Sequence, residues 1–128
     1  KKVSRPKIIN PVFLIHHPID LSPLARKNDT NQAVVDRFQL VVNGEELLNA
    51  YSELIDPIDQ AQRFKQQAYA RAQGDMDTMD VDYDFVKCME YGMPPMSGWG
   101  MGIDRFVALL TNTPALRDVV LFPLLRPE

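Results

Sequence analysis

Cysteine is nearly absent. Cys88 stands alone in 128 residues, so no internal disulfide forms, and a single thiol suits a reducing compartment. Histidine is as scarce: only His16 and His17 occur, and adjacent residues of a strand face opposite ways, so the two cannot grip one metal together. There is no Cys-x-x-Cys pair to supply a zinc site. No apolar run approaches the ~18 residues of a membrane span and no signal peptide is visible, so the expectation is a cytoplasmic chain away from membranes. Neither sign of charge dominates: a net charge of −3 excludes a general polyanion binder and leaves nucleic acid only a local patch. The initiating methionine is also missing, and Lys1 in its place suggests a piece of a longer protein.

What is present fits one domain. A chain of 128 residues buries roughly two thirds of its unfolded surface, and 45% hydrophobic content is ordinary for a globular protein. "PVFLIHHP", Pro11 to Pro18, reads as a short buried strand fenced by prolines. "IDLSPLARKNDTNQ" is irregular. From Val34 to Asp56, Asn43-Gly44 divides two apolar-rich runs, the strongest short hairpin signal because both residues tolerate positive φ. "DPIDQAQRFKQQAYARAQG" predicts a helix capped by Asp56, with Pro57 in its first turn and Gly74 at its end. Ile58, Ala61, Phe64, Ala68 and Ala72 form its expected buried stripe. "DYDFVKCMEYG" predicts a shorter helix, the glycine-rich stretch a strand, "DRFVALLTN" a third helix, and "LRDVVLFPLLRP" a final apolar strand. The six methionines, all between Met76 and Met101, read as core filler.

Two attractive motifs fail on spacing. Gly98-x-Gly100 would need glycine at 103 for a dinucleotide fingerprint, and Ile103 stands there. The acids of "DMDTMDVDYD" lack the glycine and the terminal glutamate of a calcium loop, so they read as a solvated approach to a helix.

The informative stretch is "SGWGMGIDRF". Gly98, Gly100 and Gly102 share one strand face and leave it bare, while Trp99, Met101 and Ile103 pack the other. Glycine weakens a strand by roughly 0.5–1 kcal/mol per site, so three on one face suggest close approach by a planar ligand or another backbone. Arg105 falls in the first turn of the next helix, where the macrodipole disfavours a cation unless an anion lies near. Bare backbone beside an arginine suggests a nucleotide; a tightly packed strand without ligand is the bland alternative.

These residues carry a resemblance. "GWGMGIDR" resembles motif 3 of the class II aminoacyl-tRNA synthetases, glycine-x-glycine-x-glycine-x-x-arginine. "SPLAR", "NAYSELIDPIDQAQRF", "EYGMPP" and "LRDVVLFPLLRP" narrow the resemblance to the carboxy-terminal part of the class II lysyl-tRNA synthetase catalytic domain, from about Pro11 to Glu128. It implies an α+β fold, an antiparallel sheet with flanking helices. Residues 1–128 would be the C-terminal portion of that domain, without motifs 1 and 2 or the anticodon-binding OB domain.

The resemblance also implies a reaction and its residues. Lysine is activated with ATP to lysyl-adenylate and transferred to tRNA(Lys), in a homodimeric protein. Gly98, Gly100, Gly102 and Arg105 would hold ATP, Arg105 as the catalytic contact to its phosphates. Asn49 would bind the α-carboxylate end of lysine, Tyr51 would lie along its stem, and Glu53 would pair with its ε-ammonium. An amide, an aromatic wall and a carboxylate on one strand face suit a long cation, though such a row also suits an exposed polar face. Mg²⁺ would accompany ATP, with Glu46 as a ligand. Gln39 stands where the family has a second metal-binding glutamate, and a neutral amide is a poorer magnesium ligand. Two other readings stay open: a paralogue that attaches lysine or a similar amino acid to a different acceptor, and a noncatalytic binding module of this fold.

Hairpin geometry adds one expectation. A two-residue Asn43-Gly44 turn puts Gln39, Val41 and Glu46 on one face, and strict alternation then puts Asn49, Tyr51 and Glu53 on the other. One cleft for metal and lysine, which the resemblance implies, requires a bulge between Glu46 and Asn49, expected at Leu47-Leu48, or failing that a longer, differently registered turn.

Overall fold

The computed structural model describes residues 3, 5–76, 78 and 80–123. Its strands are β1 (Val12–Pro18), β2 (Val34–Val42), β3 (Glu45–Ser52) and β4 (Ser97–Met101), and its helices are α1 (Pro57–Ala72), α2 (Tyr83–Glu90) and α3 (Ile103–Leu110). The strands form one antiparallel sheet in chain order, β1-β2-β3-β4, which is the α+β architecture expected from the sequence. The chain divides into two compact units. The first comprises the described residues of Lys1–Leu14, Gln39–Asn49 and Trp99–Glu128; the second comprises Ile15–Phe38 and Ala50–Gly98.

Local chemistry sets the element ends. Asn43 and Gly44 both take positive φ, 49° and 79°, as a type I′ hairpin turn requires. The Asp56 side chain accepts from the N–H groups of Ile58 and Asp59 at 2.8 and 3.3 Å, opening α1 just before Pro57. Asp82 opens α2 in the same way, accepting from Phe85 N–H at 2.8 Å. Gly74 and Gly92, at φ 101° and 111°, turn the chain away after α1 and α2.

The second unit has its core where α1 meets α2. Phe64 is 1% exposed and meets Phe85 edge-on, with ring centroids 6.2 Å apart. Val35, Ala50, Leu54 and Met89 of this unit are also buried. In the first unit Val41, Leu47 and Ala108 are the buried apolar residues among those described.

Several expectations need correction. β1 is an edge strand and is mostly exposed rather than buried, with Phe13 and Ile15 both open to solvent. The buried residues of α1 are Gln60, Arg63 and Phe64, while Ile58 of the expected apolar stripe is 71% exposed. Polar side chains go inside here because each finds a carbonyl to bond, as shown below. Among the described methionines only Met89 is buried, so most are not core filler. Leu116–Asp118 form a 3₁₀ turn, not the start of a strand, and residues 124–127 of that expected strand lie outside the described residues.

Candidate active site

The site residues depend on which way β3 turns its side chains. A type I′ turn closes on a hydrogen-bonded pair, so the N–H and C=O of Glu45 point toward Val42 of β2. Alternation sends the Glu46 carbonyl the other way, and there it accepts from Arg105 Nη1 at 2.7 Å. Leu47 should turn back toward β2. Its carbonyl instead accepts from Gly102 N–H at 3.0 Å, on the side of β4. Two consecutive carbonyls on one edge are the mark of an inserted residue. The break therefore falls at Glu46-Leu47, one residue earlier than the expected Leu47-Leu48, and puts Glu46 on the same face as Asn49.

Beyond the break each unit has its own register point. In the first unit Leu47 O accepts from Gly102 N–H, so Asn49 opposes Gly100; in the second, Glu53 N–H donates to Met96 O, so Tyr51 opposes Gly98. Opposed residues share a face, so Gly100 lies on the face of Asn49 and Gly98 on that of Tyr51.

In the first unit, three side chains close a triangle. Arg5 Nη2 donates to Glu46 Oε2 at 2.6 Å and to Gln39 Oε1 at 3.1 Å, and Gln39 Nε2 donates to the same Glu46 oxygen at 3.0 Å. Gln39 is buried, and Glu46 and Arg5 are largely so. The backbone seats Arg5: its carbonyl accepts from Ile8 N–H, and Asn43 N–H donates to Ile9 O, both at 3.0 Å. Nothing in the sequence singled out Arg5, because 41 residues separate it from Glu46.

Arg105 occupies the first turn of α3, as expected. Its misplaced charge already has protein partners: the Glu46 carbonyl, and Glu45 Oε2 at 3.9 Å from Nε. Its stem lies beside Gly102, where a Cβ would come 3.4 Å from Arg105 Cδ. Its side chain is 43% exposed and borders an open cavity of about 310 Å³ with Glu45, Leu47 and Ala108. Gly100 has nothing within 4 Å of its missing side chain, so its bare face is open.

In the second unit, Glu53 explains Gly98. A Cβ on Gly98 would collide with the Glu53 carboxylate. Glu53 makes no ion pair with the described residues, and partial burial pushes its carboxyl above the ordinary range. Tyr51 is pushed up as well, chiefly by burial and further by the Glu53 charge.

The "SPLAR" loop gains a structural role. Arg63 Nη1 donates to Ala25 O at 2.7 Å, Gln60 Nε2 to Pro23 O at 3.2 Å, and Arg37 Nη1 to Ser22 Oγ at 2.7 Å. Asp59 takes both remaining arms of Arg63, at 3.0 and 2.9 Å. Ala25 in turn bridges to Glu53, so the loop lies against the end of β3.

The family model of class II tRNA synthetases (D, K and N) matches residues 1–126. The chain belongs to this family. It is 52% identical over 121 residues to a lysine–tRNA ligase of Thermosipho africanus (strain TCF52B), covering 94% of this chain and 24% of that protein. To a lysine–tRNA ligase of Ectopseudomonas mendocina (strain ymp) it is 54% identical over 122 residues, covering 95% of this chain and 24% of that protein. The synthetase chain therefore spans 24% of the length of these relatives. No helix among its described residues is long and apolar enough to cross a membrane.

Class II synthetases use Mg²⁺ with ATP, and the donor chemistry at Glu46 fits a hard cation in part. Glu46 Oε2 and Gln39 Oε1 converge on one point, as oxygen ligands must. Among the described residues, no three His, Cys, Asp or Glu side chains gather. The convergence point holds the Arg5 guanidinium.

Proposed function

We propose that this chain is the C-terminal portion of the catalytic domain of a lysine–tRNA ligase, a cytoplasmic homodimer that joins lysine to tRNA(Lys). The observation that carries the reading is Glu53: a partly buried carboxylate without a cationic partner among the described residues, in a family whose matched relatives bear the name lysine–tRNA ligase.

In this reading Glu53 receives the ε-ammonium of lysine, Tyr51 flanks the aliphatic stem and Asn49 binds the α-carboxylate end. ATP lays its adenine along the bare backbone of Gly100, next to Gly102 whose face the Arg105 stem lines, and Arg105 turns its exposed edge to the phosphates. Gly98 serves a different end from the other two glycines, since its missing side chain makes room for Glu53. The lysine carboxylate attacks the α-phosphorus and displaces pyrophosphate; a hydroxyl at the end of tRNA then attacks the lysyl carbonyl of the adenylate, forming the ester and releasing AMP. No covalent bond to the protein is needed; the residues orient the reactants and balance charge. Mg²⁺, held by oxygens of Glu46 and Gln39, would neutralise phosphate charge.

Lysine-dependent exchange of pyrophosphate into ATP, measured on the full-length protein, tests this. Exchange with lysine and not with aspartate or asparagine is expected. Exchange that ignores lysine overturns the assignment.

A further inference from the structure

We infer that Arg5 is a built-in competitor for the cation site at Glu46, so that the guanidinium and a divalent ion occupy it in turn. The inference rests on Glu46 as a cation ligand, as proposed above. Three observations carry it, all within the first unit.

The first is shared atoms. Arg5 Nη2 takes Glu46 Oε2 at 2.6 Å and Gln39 Oε1 at 3.1 Å, the two oxygens a metal ion would use. An ion at 2.0–2.6 Å from those oxygens would overlap the guanidinium nitrogen. The second is charge. The triangle holds one carboxylate, one neutral amide and one guanidinium, so it is neutral while Arg5 is seated. A divalent ion added beside a seated Arg5 meets a like charge at close range in a half-buried setting, where screening is weak. The third is construction. Gly44 leaves room for the Arg5 backbone, because a Cβ there would come 3.3 Å from the Arg5 carbonyl oxygen. The Asn43-to-Ile9 bond ties the same segment to the turn. The hairpin that carries Gln39 and Glu46 therefore also holds the competitor in place.

Gln39 follows from the same logic. With glutamate at 39, two carboxylates would face one guanidinium and leave a surplus negative charge. With glutamine, the amide both accepts from Arg5 and donates to Glu46, closing the triangle without surplus.

Manganese binding to the full-length protein without ATP tests this, read by the loss of the free Mn²⁺ electron paramagnetic resonance signal. Arg5→Ala is expected to tighten one site by about tenfold or more, and Glu46→Gln added to it should abolish the gain. Arg5→Gln, which retains bulk and hydrogen bonding without charge, should show the same gain if Arg5→Ala fails to fold. Unchanged or weaker Mn²⁺ binding in folded Arg5 variants overturns the inference, as does a gain that survives Glu46→Gln. Lysine-dependent pyrophosphate exchange is scored separately: its absence refutes the proposed ligase without touching the manganese result.

Discussion

The carboxylate of Glu53 lies where a side chain on Gly98 would begin. A glycine read from sequence as a bare surface for a ring is, at this one position, space reserved for the neighbouring strand's acid. Gly98→Ala should therefore push Glu53 aside. The displaced atom is the tip of a flexible, partly exposed side chain, so the stability cost should be small. Lysine-dependent exchange should fall more than ATP affinity does. Gly100→Ala, which meets nothing within 4 Å in the protein, should leave stability unchanged and weaken ATP instead. Equal effects of the two variants on lysine and ATP would refute the division of roles.

Glu53 itself should oppose stability and support function. Burial raises its carboxyl pKa above the unfolded value, so the group favours the folded state most when protonated, and that contribution is lost as pH rises through the folded pKa. Glu53→Gln should thus be neutral or stabilising at pH 7 in thermal melts. The same variant should weaken lysine activation by about 10- to 150-fold, the loss of one charge-assisted hydrogen bond of roughly 1.5–3 kcal/mol. Unaltered lysine affinity would remove Glu53 from the pocket.

Asp59 works the other way. Hydrogen bonds from Arg63 hold its carboxyl below the ordinary range, with Lys27 adding to the effect. Its contribution is present above the unfolded carboxylate pKa and is lost as pH falls through the folded one. Asp59→Asn should destabilise the protein at pH 7 and flatten its acid unfolding curve. An acid limb identical to wild type would show that the pair adds no stability.

Arg105 separates nucleotide binding from packing. Arg105→Ala should impair ATP-dependent lysine activation, with a modest stability cost from the lost bond to the Glu46 carbonyl, about 1.5–3 kcal/mol for a charged donor before solvent exposure discounts it. Arg105→Lys should rescue only in part, because an ammonium lacks the planar fork. Full activity per folded molecule in Arg105→Ala would make the residue a structural strap alone.

Gly44→Ala combines a φ of 79° with a Cβ 3.3 Å from the Arg5 carbonyl. A loss exceeding about 1 kcal/mol in chemical unfolding is expected, since alanine cannot take this φ without strain. Tolerance of alanine would mean that the turn can re-form with another geometry.

The sequence by itself determined whatever a few neighbouring residues decide. Asn43-Gly44 specified the hairpin, Asp56 and Pro57 the start of α1, and Asp82 the start of α2, because φ preference and capping are local. The glycine-rich strand followed by "DRFVALLTN" placed Arg105 in the first turn of α3 for the same reason. Only the tertiary structure decided the rest. The apolar spacing of α1 pointed to Ile58, yet Gln60 and Arg63 went inside, because carbonyls of the distant "SPLAR" loop were there to receive them. The need for a bulge could be argued from turn length, but its position at Glu46-Leu47 was set by Gly102 and Arg105 claiming adjacent carbonyls. Arg5 reached Glu46 across 41 residues, and Glu53 filled the space of Gly98 across a strand pair. Pairing of that kind depends on which backbones the fold brings side by side, and no pattern of adjacent residues encodes it.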